Sequence, residues 1–347
     1  MTRYRTRTAL AALLALAIGA TGCGAGTGGT ASAAGKGDTV TVYSADGLGD
    51  WYKAEFAKFT KATGVKVNYV EAGSSEVVGR VEKERNNPQA DVLVTLPPFI
   101  QQADKDGMLD KLGTDTGAIA AADKAGDGTW TALVNNYSCF IANSTAPAPK
   151  TWDDLLASSY RGKLQYSTPG QAGDGTALLY LLQHEMGEQG ALAYLKRLQA
   201  SNVGPSASTG ALQPKVSSGS LLVANGDVQM NLASIQADKS NFGVVFPRNG
   251  AKKPETVALP YAIARTKGAP NAANGEKLTD FLLSAAEQKT VSSGAFGYPV
   301  RTDVHPSDAN FAELQKTLKG VTVYHPDWDS ILGGLKSDID AYTEATS

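Results

Sequence analysis

The chain has 347 residues, with 32 Lys and Arg against 34 Asp and Glu and a formal charge of −2. That length asks for more than one small core. A hydrophobic share of 42% with 19% charged residues suits a soluble globular body. Near-neutral charge, no long basic stripe and no zinc-finger spacing leave no case for nucleic acid as a partner.

The first residues read as a targeting segment. Arg3, Arg5 and Arg7 form a positive n-region, and Leu10 to Ala20 form an apolar h-region too short for a membrane span. Ala20-Thr21-Gly22-Cys23 resembles a bacterial lipobox, with Ala20 where leucine is usual. Residues 1–22 are therefore expected to be a signal peptide and Cys23 a lipidated N-terminus; cleavage by ordinary signal peptidase is the alternative. Residues 23–37 are Gly/Ala/Ser/Thr-rich and read as a flexible tether. The other cysteine, Cys139, lies in apolar Tyr137-Ser138-Cys139-Phe140-Ile141 and is expected to be buried packing.

The folded part opens on a β-branched strand, Thr39 to Ser44, followed by the loop Ala45 to Gly49. Trp51 to Thr63 has helical spacing and stops at Gly64. Val65 to Val70 is a strand, Gly73-Ser74-Ser75-Glu76 leads a helix towards Asn86-Asn87-Pro88, and Asp91 to Val94 is a third strand. This β-α-β-α-β alternation is that of an open α/β sheet. A short helix follows Pro97-Pro98-Phe99, residues 112–129 are polar, and strands are expected at 130–134 and 138–143. Trp152-Asp153-Asp154-Leu155-Leu156 suggests a short helix, and Leu164 to Ser167 a strand.

Thr168-Pro169-Gly170-Gln171-Ala172-Gly173-Asp174-Gly175-Thr176 then feeds an apolar run to Met186. It reads as a Gly-rich loop before a helix, with Asp174 or Thr176 near the N-cap. A helix start offers free N–H groups and a positive dipole end, and so attracts anions. Beyond it, helices are expected at about 189–200 and 211–218, a strand at Gly226 to Leu232, a helix at Ser234 to Ser240 and a strand at Phe242 to Pro247. Thr256 to Ala264 starts a new section, with helices within 271–283 and 287–292, a turn-rich loop at 294–300 and mostly helical residues to the end.

Together these pieces resemble the bacterial solute-binding proteins of ABC importers, in the branch with two α/β lobes. The resemblance rests on Tyr43-Ser44-Ala45-Asp46-Gly47, Trp152-Asp153-Asp154-Leu155, Tyr160-Arg161-Gly162-Lys163-Leu164, Gly226-Asp227-Val228 and the loop Gly294 to Arg301. Within that branch the chain looks like the 2-aminoethylphosphonate-binding subfamily, through Thr168 to Thr176, Gly73 to Val78 and Leu259-Pro260-Tyr261-Ala262 with Lys267-Gly268-Ala269-Pro270. Ferric-ion binders share the fold but usually carry adjacent tyrosines after the Gly-Asp-Val strand; Asn231 to Gln236 holds none.

The resemblance implies an α/β, two-lobed periplasmic-binding-protein-like fold of type II, with mixed sheets, flanking helices and a ligand cleft between the lobes. Lobe 1 is expected from 38–134 and 251–347, lobe 2 from 135–250. It implies no catalysis and no cofactor, a small-molecule ligand (2-aminoethylphosphonate), a membrane ABC permease as partner, a monomer, and attachment to the outer face of the cytoplasmic membrane through Cys23, with a periplasmic or secreted protein as the alternative. Phosphonate oxygens want helix N-termini and hydroxyls. The candidates are Ser44, Ser74, Ser75, Gly173, Asp174, Gly175 and Thr176. The amine wants a carboxylate or an aromatic face; Asp46 leads, with Tyr137 and Tyr261 as cleft walls. His184, His305 and His325 are too scattered for a metal motif. The rival readings are another solute (polyamine, phosphate ester or ferric ion) and a secreted hydrolase of phospho-compounds, for which no nucleophile–base motif is visible.

Overall fold

The computed structural model describes residues 38–347, so the signal segment, Cys23 and the tether at 23–37 lie outside the described residues. β1 (Thr39–Ala45), α1 (Gly49–Thr63), β2 (Lys66–Ala72), α2 (Ser74–Lys83) and β3 (Val92–Thr95) alternate as the sequence predicts. Gly64 ends α1 in the left-handed conformation, its N–H closing on Thr60 O at 2.8 Å. Next come α3 (Phe99–Lys105), β4 (Leu109–Asp110), β5 (Trp130–Asn135) and β6 (Ser138–Asn143). The middle of the chain carries β7 (Leu164–Gln165), α4 (Gly173–Met186), α5 (Glu188–Gln199), α6 (Gln213–Ser217), β8 (Val223–Asp227), α7 (Val228–Asp238) and β9 (Phe242–Val245). The remainder supplies β10 (Glu255–Val257), β11 (Tyr261–Thr266), α8 (Ala272–Leu283), α9 (Ala285–Gln288), α10 (Thr290–Ala295), β12 (Tyr298–Pro299), α11 (Ala309–Thr317), β13 (Thr322–Tyr324) and α12 (Trp328–Thr346).

Two main sheets organise these elements. One runs β12-β5-β11-β3-β1-β2, with β4 also on β11; β1 is parallel to β2 and β3, and β11 is antiparallel to β3 and β5. The other runs β7-β8-β6-β9. The chain passes from the first sheet to the second at Asn136-Tyr137 and returns at Ala258-Leu259-Pro260. The two crossings are tied together: Tyr137 bridges Ala258, and Leu259 N–H donates to Asn136 O at 2.9 Å. Short crossings at the ends of elements are where interdomain hinges are commonly found.

Three local readings change. Residues 226–232 are not a strand: β8 ends at Asp227, and α7 begins at Val228. Val228, Met230 and Leu232 alternate with Gln229 and Asn231, which mimics a strand period; yet all five are buried, so there is no polar face for the period to report. Asp227 caps the helix, its Oδ1 accepting Met230 N–H at 2.7 Å, and that cap was the available signal. α4 starts at Gly173, so Gly173 and Gly175 lie inside its first turn rather than in the loop. Finally, residues 251–347 do not all return to the first sheet. α12 packs on α5, where Tyr342 and Tyr166 pair hydroxyls at 3.1 Å and Tyr180 donates to Asp338 at 2.8 Å. Cys139 is buried, as the apolar run around it implies.

Candidate functional site

The opening turn of α4 is shaped by close packing. A Cβ on Gly175 would stand 2.2 Å from Ser167 O, and one on Gly173 would stand 2.6 Å from Leu96 Cδ1. Ala172 holds the cap position in extended conformation without a side-chain cap bond. Asp174 and Thr176 are therefore the second and fourth residues of the helix, not its cap. Thr176 is buried; its hydroxyl donates to Ala172 O and accepts Gly170 N–H, both at 2.9 Å. A hydroxyl has one proton, so the Thr176 side chain fastens its own loop and has none left for a ligand. Ser44 is in the same position: buried in β1, it donates to Ala45 O at 2.9 Å.

Across the cleft, the start of α2 meets the start of α4. Ser75 gives both its hydroxyl (2.7 Å) and its amide (3.2 Å) to Gln171 O, while Ser74 Oγ accepts Gly173 N–H at 3.3 Å. A Cβ on Gly73 would lie 2.5 Å from Ala207 O, so this seam closes only over glycine. Two helix N-termini thus point into one interlobe junction, where their dipoles favour negative charge.

A second junction is acidic. Asp46, in the loop after β1, accepts Ser208 Oγ–H at 2.6 Å and Gly210 N–H at 3.0 Å through Oδ2. Tyr261 is fully buried at the start of β11; its hydroxyl donates to Asp46 O at 2.9 Å and reaches Asp227 Oδ2 at 3.3 Å. Burial raises the carboxyl of Asp46 above its usual range, opposed by the Ser208 and Gly210 donors. Burial pushes Asp227 up to about 6, opposed by the Met230 amide and Asn136, with the charge of Asp46 adding to the rise. Asp174 is driven well above the carboxylate range by burial and then by the charges of Asp227 and Asp46. The phenol of Tyr261 is raised by burial and by all three carboxylates. None of the ion pairs among the described residues involves these acids. Nor do the described residues group three or more His, Cys, Asp or Glu as metal ligands.

Three polar atoms here are buried without partners among the described residues: Asp174 Oδ1, Gln229 Oε1 and Asn136 Nδ2. Gln229 donates through Nε2 to Gly47 O at 3.0 Å, and Asn136 Oδ1 accepts the amides of Tyr137 (2.8 Å) and Gln229 (3.1 Å). Gly47 has a positive φ of 121°, and a Cβ there would stand 2.1 Å from Tyr261 Oη, so glycine is required twice over. A cavity of about 820 Å³ opens beside Asp46, lined by Gly47, Tyr52, Glu71, Ser208 and Gln229 among others. A separate cavity of about 240 Å³ at the far end of α2, beside Arg85 and Lys267, touches none of these groups.

The structure therefore gathers Asp46, Asp174 and Tyr261 at one junction and Ser74, Ser75 and Gly173 at the other, with Gly175 packed behind. Tyr137 stands apart: its half-buried ring meets Tyr298 edge-on at 5.5 Å, and its phenol is raised by burial and by Asp123. Asn136, Asp227 and Gln229 had no functional reading in the sequence. Asp227 lay in the misassigned strand, and the others carry no motif.

Residues 54–317 match the family described as bacterial extracellular solute-binding protein. A protein of Salmonella typhimurium, provisionally named a 2-aminoethylphosphonate-binding periplasmic protein, is 48% identical over 314 residues, 88% of this chain and 92% of its own. Among solved structures, the periplasmic binding protein AfuA from Actinobacillus pleuropneumoniae, with fructose-6-phosphate bound, superposes with a TM-score of 0.75 at 20% identity over 89% of this chain and 98% of its own. The ferric binding protein from Campylobacter jejuni does so with a TM-score of 0.72 at 22% identity, over 88% and 99%. Such low identities speak for the two-lobed fold alone.

Proposed function

This chain belongs to the family of bacterial extracellular solute-binding proteins, and from that premise we propose that it binds 2-aminoethylphosphonate between its lobes and delivers it to an ABC permease. The observation that carries the reading is a cluster of three carboxylates, Asp174 and Asp227 buried and Asp46 half-buried, with no cation paired to them among the described residues, beside two facing helix N-termini. An isolated buried charge is costly unless it is paired. A zwitterion with an ammonium at one end and a phosphonate at the other matches both needs at once. The phosphonate is assigned to the first turns of α2 and α4, at the Ser74 hydroxyl proton and the Asp174 and Gly175 amides, while Ser75 and the Gly173 amide, engaged with Gln171 O and Ser74 Oγ, frame the junction. The ammonium is assigned to the acidic junction around Tyr261, where Asp46, Asp174 and Asp227 act on the same phenol. The 48% identical relative carries the same ligand in its name.

In this reading the two lobes are built on the two sheets and close about the hinge formed by the tied crossings. The mature protein is a monomer held at the outer face of the cytoplasmic membrane by a lipid on Cys23. No helix among the described residues is long and apolar enough to cross a membrane. Isothermal titration against 2-aminoethylphosphonate, inorganic phosphate, putrescine and ferric citrate tests the ligand. Silence towards the aminophosphonate with a clear response to another compound overturns the assignment. Fatty-acid labelling that survives Cys23→Ala would overturn the anchor.

A further inference from the structure

The three unpartnered atoms lie on separate elements around Tyr261. Asp174 Oδ1 comes from the first turn of α4, Gln229 Oε1 from the first turn of α7, and Asn136 Nδ2 from the first hinge crossing. Their residues are 3%, 1% and 2% exposed, so bulk water does not satisfy them. A buried acceptor left without a donor costs about 1–3 kcal/mol, and native proteins rarely hold several together without a ligand or ordered water to complete them. Asp227 Oδ2 is close to being a third free acceptor. The one hydrogen bond of ordinary geometry it receives among the described residues is from Tyr261, at 3.3 Å, with the Asn136 amide nearby, and that hydroxyl gives its single proton over the shorter 2.9 Å path to Asp46 O. Asp46 is differently placed. Its Oδ2 already takes Ser208 and Gly210 from the opposite lobe, 162 and 164 residues away.

We propose that Asp174 Oδ1, Gln229 Oε1 and Asp227 Oδ2 form a subsite for a primary ammonium group, and that Asp46 is a latch between the closed lobes rather than the amine's partner. The inference rests on the proposed function and names how that same site selects its ligand. A primary ammonium has three N–H donors, one for each acceptor. A quaternary ammonium has none, and a plain alkylphosphonate leaves all three acceptors bare. Asn136 positions the subsite: its Oδ1 holds the Gln229 amide at the first turn of α7, and its Nδ2 lies close enough to Asp227 to favour the charged form without making a hydrogen bond of ordinary geometry. Sites built to pair a buried donor or acceptor reject analogues lacking the matching group far more strongly than apolar pockets reject a missing methylene.

The test titrates the full chain with 2-aminoethylphosphonate, its N-trimethyl analogue, ethylphosphonate and putrescine. Wild type is expected to prefer the primary amine over both other phosphonates by about tenfold or more. Gln229→Met and Asp174→Asn each reduce that preference, because they weaken the amine but not ethylphosphonate. Asp46→Asn weakens every ligand by a similar factor and leaves the preference in place. Melting curves of the unliganded variants guard against misfolding; Asp174→Asn removes a buried ionisable group and is expected to melt no lower than wild type. Retained amine preference in both Gln229→Met and Asp174→Asn overturns the subsite, as does its loss in Asp46→Asn alone. A chain that ignores the aminophosphonate but takes putrescine with the same variant sensitivity keeps the subsite and sinks the phosphonate reading. A chain that binds neither amine sinks both.

Discussion

The first turns of α4 and α7 bring Asp174 and the capping Asp227 to the same acidic junction but use their polar groups in opposite ways. At α4 almost everything is engaged within the protein: Gly175 against Ser167 O, Thr176 with Ala172 and Gly170, and Gly173 N–H on Ser74. The side-chain atom left over among the described residues of that turn is Asp174 Oδ1, its carboxyl being otherwise near the Thr209 hydroxyl. At α7 the amides are all held, by Tyr137 O, Asn136 Oδ1 and Asp227 Oδ1. What remains there is a set of side-chain atoms without partners. A glycine-rich turn thus marks where two surfaces approach closely, whereas the unmatched side-chain atoms are the ones the proposed ligand would complete.

The largest effect expected from breaking this contrast is at Gly175. Gly175→Ala places a Cβ on backbone, which cannot step aside, and should destabilise the fold by about 2–3 kcal/mol or more in denaturant unfolding. Gly173→Ala should act on closure instead. Its Cβ meets Leu96 and Ser74 of the other lobe, so ligand affinity should fall while unfolding of the free protein changes little; equal losses in both would place Gly173 in the lobe's own core.

The next test is pH. Asp227 rises from 3.8 to about 6, with Asp174 and Asp46 shifted the same way. The titratable neighbours packed about them, Tyr261 and Cys139, are both raised and stay neutral there. The folded state then holds more protons than the unfolded one between about pH 4 and 6, so this contribution is present below about 4 and is lost as pH rises to about 6. Its size is on the order of 1–3 kcal/mol. Unliganded protein should lose stability over that window in melting curves, and saturating ligand should flatten the slope; an unchanged slope with ligand would mean the amine lies elsewhere. Asp227→Asn keeps an N-capping oxygen while removing the charge, and should remove much of the same slope.

The smallest effect is expected at Thr176. Thr176→Val should cost about 1 kcal/mol of stability and leave affinity unchanged. A tenfold loss of affinity would return Thr176 to the list of ligand donors and erase the contrast between the two helices.

Much of the fold was legible because it rests on short-range signals. Alternating β-branched residues gave β1, Gly64 stopped α1, and the β-α-β-α-β order led to an open sheet with its functional loops at strand ends. Of the proposed site, the sequence offered candidates only. Asp46 follows β1, Asp174 lies in the first turn of α4 and Tyr261 opens β11, and the sequence singled out all three. It could not distinguish their duties from those of Ser44, Tyr137 or Thr176, which look equally suitable in a linear motif. Capping and periodicity are set within about one helical turn. The bonds of Asp46 to Ser208 and Gly210, and of Tyr261 to Asp46, join residues between 162 and 215 positions apart. Whether a hydroxyl closes on its own loop or a carboxylate is left without a donor depends on what the other lobe brings, and only the tertiary structure decided that.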